Sequence, residues 1–182
     1  MDQRRQQLLQ LLQEKSFRYS PEKPFKLVSG RVSPYYIDCR PTTHNAQGLA
    51  LIGALVFDLI RDLDVQAIGG LTMGADPIAN AVALTSFLKG QPVNAFSVRQ
   101  RPKEHGTGGL LVGDITPGDR AVVVEDVVTT GGSALRAVAA AREFGLAVVK
   151  VIILVDRQEG GKEAVAAAVP DVEAVFTIAD LR

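Results

Sequence analysis

RAVVVEDVVTTGGSALRA occupies residues 120–137. A β-branched apolar run ends on two acids, Glu125 and Asp126. Thr129, Thr130, Gly131, Gly132 and Ser133 follow, and then a helix-forming segment. The order predicts strand, loop, helix. Carboxylates at the end of a buried strand are costly unless they meet a partner. In open parallel sheets ligands gather beyond the carboxyl ends of the strands. A helix start offers free N–H groups and a dipole that favours an anion. Two glycines admit close backbone approach, and three hydroxyls add donors. Together these predict a phosphate cradle, with an acid pair beside it that suits sugar hydroxyls, directly or through a hydrated Mg²⁺. The stretch lacks the Gly-Lys-Ser/Thr ending of a Walker A loop and the G-x-G-x-x-G of a dinucleotide fingerprint.

Working outward, the chain alternates strand and helix signals. Leu8, Leu9, Leu11 and Leu12 among Gln, Arg and Glu predict an amphipathic first helix. Residues 25–40, FKLVSGRVSPYYIDCR, read as a hairpin-like pair of short strands. Leu49, Ile52, Val56, Leu59 and Leu63 keep helical spacing. VQAIGGL (65–71) and VNAFSV (93–98) read as strands, and Asp76-Pro77 offers an N-cap and a first-turn proline between them. RQRPKEHGTGG (99–109) has no periodicity and reads as a long polar loop. Ser133 to Phe144 reads as a helix closed by Gly145. LAVVKVIILVD (146–156) is apolar on both faces, as a central parallel strand is. A short helix near residues 161–168 and a strand at 173–178 follow. The pattern is α/β with a mostly parallel sheet, and residues 1–182 are expected to form one domain.

Composition narrows the class. Apolar residues make up 47% and charged residues 22%, as in ordinary globular domains. Twenty basic residues balance twenty acidic ones, so no global field favours nucleic acid or an anionic membrane. No apolar run is long enough to span a bilayer, and the first residues do not read as a signal peptide. One cysteine, Cys39, excludes an intrachain disulfide and fits a reducing, cytoplasmic setting.

VVVEDVVTTGGSAL resembles the phosphoribosyl-diphosphate signature of the type I phosphoribosyltransferases. FKLVSGRVSPYYIDCR resembles the N-terminal segment of orotate phosphoribosyltransferases, and RPKEHGTGG their catalytic loop. DRQEGG at 156–161 adds a fourth motif. The resemblance implies a type I phosphoribosyltransferase-like fold with a small N-terminal hood and a flexible catalytic loop. It implies transfer of phosphoribosyl from 5-phosphoribosyl-1-diphosphate (PRPP) to orotate with Mg²⁺, a step of pyrimidine biosynthesis. It also implies a homodimer whose loop serves the neighbouring subunit.

The same resemblance distributes roles. Glu125 and Asp126 would take the ribose hydroxyls. Thr129, Thr130, Gly131, Gly132 and Ser133 would hold the 5′-phosphate, with Val127 and Val128 also in the PRPP site. Arg99, Lys103 and His105, with Thr72 and Met73 in the loop after VQAIGGL, would meet the diphosphate. Lys103 and His105 lie two apart and point the same way if extended, and His105 suits proton donation to the leaving oxygen. Arg157, with Thr129, Ser29 and Gly30, would hold orotate, a guanidinium fork matching its carboxylate. No protein metal ligand set is expected, the Mg²⁺ being held mainly by PRPP and water. Met73, Gln100 and Val28 stand where many members carry lysine, with Lys26 and Arg101 placed to compensate at two of them. Two other readings stay open: a phosphoribosyltransferase for another nucleobase, and a PRPP- or nucleotide-sensing RNA-binding regulator on the same fold.

Overall fold

The β-branched runs that read as strands assemble into one six-stranded sheet in the computed structural model, which describes residues 3–26, 32–101 and 109–182. Its strands are β5 (Ala67–Leu71), β6 (Asn94–Val98), β7 (Leu111–Gly113), β8 (Arg120–Val128), β9 (Ala147–Asp156) and β10 (Val172–Thr177). Their order is β10-β9-β8-β5-β6-β7, parallel throughout except for β7, which pairs antiparallel with β6. Four short strands precede the sheet. β1 (Phe17–Tyr19) pairs with β4 (Tyr35–Ile37), and β2 (Phe25–Lys26) pairs with β3 (Val32–Ser33). The expected hairpin therefore exists as β2–β3, and β4 turns instead to β1.

The helices are α1 (Gln3–Lys15), α2 (Arg40–Thr43), α3 (Ala46–Ile60), α4 (Ala75–Leu88), α5 (Gly132–Phe144), α6 (Gly161–Ala166) and α7 (Ile178–Leu181). β8 and β9 explain the two-layer core. Val122, Val124, Ile152 and Leu154 face α1, α3 and α4, where Leu8, Leu12, Ile52, Val56 and Ile78 close one cluster. Val123, Val151 and Ile153 face the other way, onto Ala134, Ala137 and Val138 of α5 and Val165 of α6. Both faces of these strands are covered, so both read as unbroken apolar runs.

Chain order reverses between β5 and β8. After β5 the chain adds β6 and β7 on one side; β8, β9 and β10 follow on the other. A crevice opens at such a point beyond the strand ends. α4 follows β5 there and α5 follows β8, so two helix starts converge on it. Gly145 closes α5 in the left-handed conformation, φ 105°, as expected.

Two expectations need correction. Asp76 does not cap α4: the helix starts at Ala75 with Gly74 as its N-cap. The Asp76 carboxylate instead accepts the hydroxyl of Ser97 on β6 at 2.7 Å, a tertiary partner that no local pattern encodes. α5 begins at Gly132 rather than Ser133, with Gly131 at its cap. β7 and α7 were not anticipated; three and four residues are too few to show a period.

Candidate active site

The loop that follows β8 is shaped by glycine. Gly131 has φ 82°, in the left-handed region, and a Cβ there would come within 2.8 Å of the Gly161 carbonyl oxygen. Gly161 likewise packs on the Thr129 carbonyl, 2.6 Å from where its own Cβ would lie. The cradle is thus braced on the start of α6, and any side chain at either position would lift it. A cavity of about 640 Å³ opens above it. Glu125, Val127, Val128, Thr129, Thr130, Gly131, Gly132, Ser133 and Arg157 all line this cavity. They include the residues expected to hold the 5′-phosphate, Glu125 of the acid pair, and Thr129 and Arg157 of the expected orotate set. Lys26 and Tyr36, from the segment expected to wall the base site, line it too, as do Ile37 and Ala134, to which the sequence assigned no role.

Arg157 lines the cavity and is buried, 5% exposed. Its backbone N–H donates to the Val128 carbonyl at 3.0 Å, fixing the turn after β9 against the end of β8. Nε donates to Glu159 Oε1 at 2.8 Å, and Nη2 to Ser33 Oγ at 3.4 Å. The guanidinium is both ion-paired and directed at the cavity. Its contact with Ser33 ties the hood to the sheet.

The acid pair is the most strained electrostatic feature. Glu125 is 6% exposed, and its Oε2 is the one buried side-chain oxygen or nitrogen among the described residues without a hydrogen-bond partner. Burial pushes its carboxyl up to about 9; the neighbouring Asp126 carboxylate adds to the rise, and Arg136 on α5 opposes it. Glu125 therefore keeps a proton at neutral pH and shares it with Asp126. Burial raises Asp126 as well, against the pull of the Val127 N–H, which donates to Oδ1 at 2.9 Å.

Asp126 does not line the main cavity; its carboxylate lies beside Gly74. A Cβ on Gly74 would stand 2.5 Å from Asp126 Oδ1 and 2.7 Å from its Cγ. Gly74 caps α4, so the carboxylate lies against the loop that joins β5 to α4. Cys39 is buried beneath the pair, its thiol directed at the Asp126 carbonyl at 3.8 Å. Burial and the charges of Asp126 and Asp38 push that thiol well up, which leaves it inert.

Thr72 and Met73 lie on the same loop, outside the cavity lining; their peptide bond is cis. Met73 is 62% exposed. Gln100, one of the three lysine departures, bridges two elements: Nε2 donates to the Thr72 carbonyl at 2.8 Å, and Oε1 accepts from Arg136 at 3.4 Å. Arg99 donates from Nη1 to the Gly109 carbonyl at 3.3 Å and does not reach the cavity wall. Ser29, Gly30, Lys103 and His105 fall outside the described residues. Among the described residues no cluster of three or more His, Cys, Asp or Glu side chains could ligate a metal, and no helix is long and apolar enough to cross a membrane.

A carboxyl that keeps its proton when folded and sheds it near 4.5 when unfolded adds stability at low pH. That stability drains away as pH rises through about 9. Glu125→Gln preserves the shape and removes the titration. Thermal unfolding between about pH 5 and pH 9 should show a fall in midpoint for the wild type that the variant lacks. Parallel curves would show that Glu125 titrates normally.

The chain resembles known proteins along nearly its full length. Residues 43–176 match the phosphoribosyl transferase domain. An orotate phosphoribosyltransferase of Aquifex aeolicus is 46% identical over 159 residues, 87% of each chain. That of Sorangium cellulosum is 45% identical over 97% of this chain and 92% of its own. The crystal structure of Mycobacterium tuberculosis orotate phosphoribosyltransferase in complex with PRPP superimposes with a TM-score of 0.79, at 38% identity and 98% coverage of both chains. On these matches the chain belongs to the phosphoribosyltransferase family, in its orotate phosphoribosyltransferase branch.

Proposed function

We propose that this chain transfers the phosphoribosyl group of PRPP to orotate, forming orotidine 5′-monophosphate and diphosphate. The observation that carries the reading is one cavity that joins an anion cradle, a buried acid pair and a guanidinium. The N–H groups at the start of α5, with the Thr129, Thr130 and Ser133 hydroxyls, hold the 5′-phosphate. Glu125 and Asp126, at the end of β8 just before the cradle, meet the ribose hydroxyls, which supply the partner that Oε2 lacks. Two adjacent carboxyl groups also fit a hydrated Mg²⁺ that PRPP itself carries in; when bound, the ion neutralises diphosphate charge. Arg157 presents its remaining N–H groups to the orotate carboxylate.

The reaction needs no protein nucleophile. A ring nitrogen of orotate gives up its proton and forms the bond to the anomeric carbon as the bond to the diphosphate oxygen breaks, and the proton lost from the base balances the one the leaving diphosphate takes up. The carbon passes through an oxocarbenium-like state, as in glycoside cleavage. The acid pair stabilises that charge, and Arg99, Lys103 and His105 take the leaving group, His105 as proton donor. Ser29 and Gly30 read the pyrimidine edge, and Thr72 and Met73 flank the diphosphate by their backbone.

Residues 1–182 act as one cytoplasmic domain and work as a homodimer. α1 and the hood pack on the same core as the sheet, which supports the first point. α4 exposes Leu84, Phe87 and Leu88 along one side, 62%, 70% and 74% exposed, and a second copy covers them.

Purified protein given orotate, PRPP and Mg²⁺ should lower orotate absorbance and release diphosphate, with no turnover of adenine and little of uracil. Preference for another base, or RNA binding without turnover, would favour one of the two other readings. Mixing inactive Lys103→Ala and Asp126→Ala chains should restore part of the activity; none returning would place the loop in its own subunit's site. Gly74→Ala should lower kcat/KM for PRPP by about 10–100-fold, because its Cβ displaces the Asp126 carboxylate. The unfolding midpoint should hardly move, since Gly74 has an ordinary helical φ of −63°. Unchanged kinetics would remove Asp126 from the reaction.

A further inference from the structure

We infer that Lys26 is a second base-site cation, the one that makes this cavity select a carboxylated pyrimidine over a neutral one. The inference rests on the proposed reaction and goes one residue further. Lys26 lines the cavity, at the end of β2. It pairs in register with Val32, the residue before Ser33. Ser33 is the hood residue that accepts a hydrogen bond from Arg157. Lys26 and Arg157 are thus linked through the β2–β3 pair, Lys26 by its place in β2 and Arg157 by its bond to Ser33. On the proposed reaction that side of the cavity takes the base. The residues of the diphosphate loop, Thr72 to Gly74, do not line this cavity.

Charge accounting separates the two cations. Arg157 is buried and its Nε is held by Glu159 at 2.8 Å. It offers a fixed, planar set of donors, but its charge is already matched. Glu125, the acid lining the cavity, holds a proton at neutral pH. Lys26 has no acidic partner among the described residues and is exposed at the cavity mouth. It is therefore the uncompensated positive charge of the described lining. Orotate differs from uracil by one carboxylate. Arg157 orients that carboxylate, and Lys26 supplies the net attraction for it. Its ammonium on a four-carbon stem is suited to a ligand that must enter and leave.

The test compares wild type with Lys26→Met and Lys26→Arg in steady-state kinetics, with PRPP and orotate varied in turn. Uracil is used as a competitive inhibitor against orotate. A charge-assisted contact at a partly exposed site is worth about tenfold in affinity. Lys26→Met should raise KM for orotate by about that factor, more at low salt, with the uracil inhibition constant and KM for PRPP unchanged within about twofold. Lys26→Arg should restore most of the orotate affinity. Lys26 is exposed, so thermal unfolding of both variants should match the wild type and exclude a folding defect. An unchanged orotate KM in Lys26→Met overturns the inference. So does a rise in KM for PRPP as large as that for orotate, since Lys26 would then serve the diphosphate. Wild-type protein that consumes no orotate overturns the proposed reaction first, and this inference with it.

Discussion

Two carboxyl groups meet at the end of the central strand, and one of them is almost fully buried. Such a pair is costly in a medium that solvates charge poorly, and the chain meets the cost by retaining a proton. The surroundings do not relieve it. Cys39 below is a weak donor aimed at a backbone carbonyl, and Arg136 is exposed on α5. Glu125 Oε2 stays without a partner. A fold that evolved only for stability would put an apolar residue at 125, as it does at 121 through 124. The acids hold their positions because β8 ends at the reversal of strand order, where two helix starts face the same crevice.

The rest of the site is built to let backbone come close to this pair. Gly74 brings the start of α4 against Asp126, and Gly131 brings the cradle against α6. In each case the space that a Cβ would fill holds another part of the protein. Steric exclusion, rather than a hydrogen-bond network, sets the spacing between acid pair, cradle and diphosphate loop. Such a frame is stiff because close-packed atoms yield little. It holds reacting groups in place without immobilising side chains at each turnover.

The sequence made some of this legible and hid the rest, for physical reasons. The cradle and acid pair are contiguous, and strand, acids, glycines and helix start are each local signals. β8 and β9 were readable because burial on both faces removes polar alternation. Contacts between distant parts of the chain left no local trace. Asp76 looked like an N-cap because Asp-Pro is a common helix opening, yet its carboxylate belongs to Ser97, twenty-one residues on. The approach of Gly74 to Asp126 is another such contact. Tyr36 and Lys26 reach the cavity only because the hood folds over it, and Arg157 is joined to Ser33 across 124 residues of chain. The aromatic stack of Phe17, Tyr35 and Tyr19 that supports this hood is likewise tertiary.

Of the three departures from the family's lysines, Gln100 is explained by its neighbours, and Val28 lies outside the described residues. A lysine at position 100 could donate to the Thr72 carbonyl but could not accept from Arg136. The neutral amide of Gln100 does both, so it ties the diphosphate loop to α5 where a charge would repel the arginine. Met73 adds no charge and lies open to solvent. Arg99 is engaged with the Gly109 carbonyl, at the far end of the 102–108 stretch. On the proposed reaction, little fixed positive charge is left beside the leaving diphosphate among the described residues. The attraction must then come from the remaining donors of Arg99, from Arg101, Lys103 and His105, and from the ion that PRPP carries. On that reading base and leaving group are served differently: a fixed guanidinium and one exposed ammonium for the base, cations from the 99–105 stretch for the diphosphate. Affinity for PRPP should accordingly respond to ionic strength more steeply than the grip of the cradle alone would require.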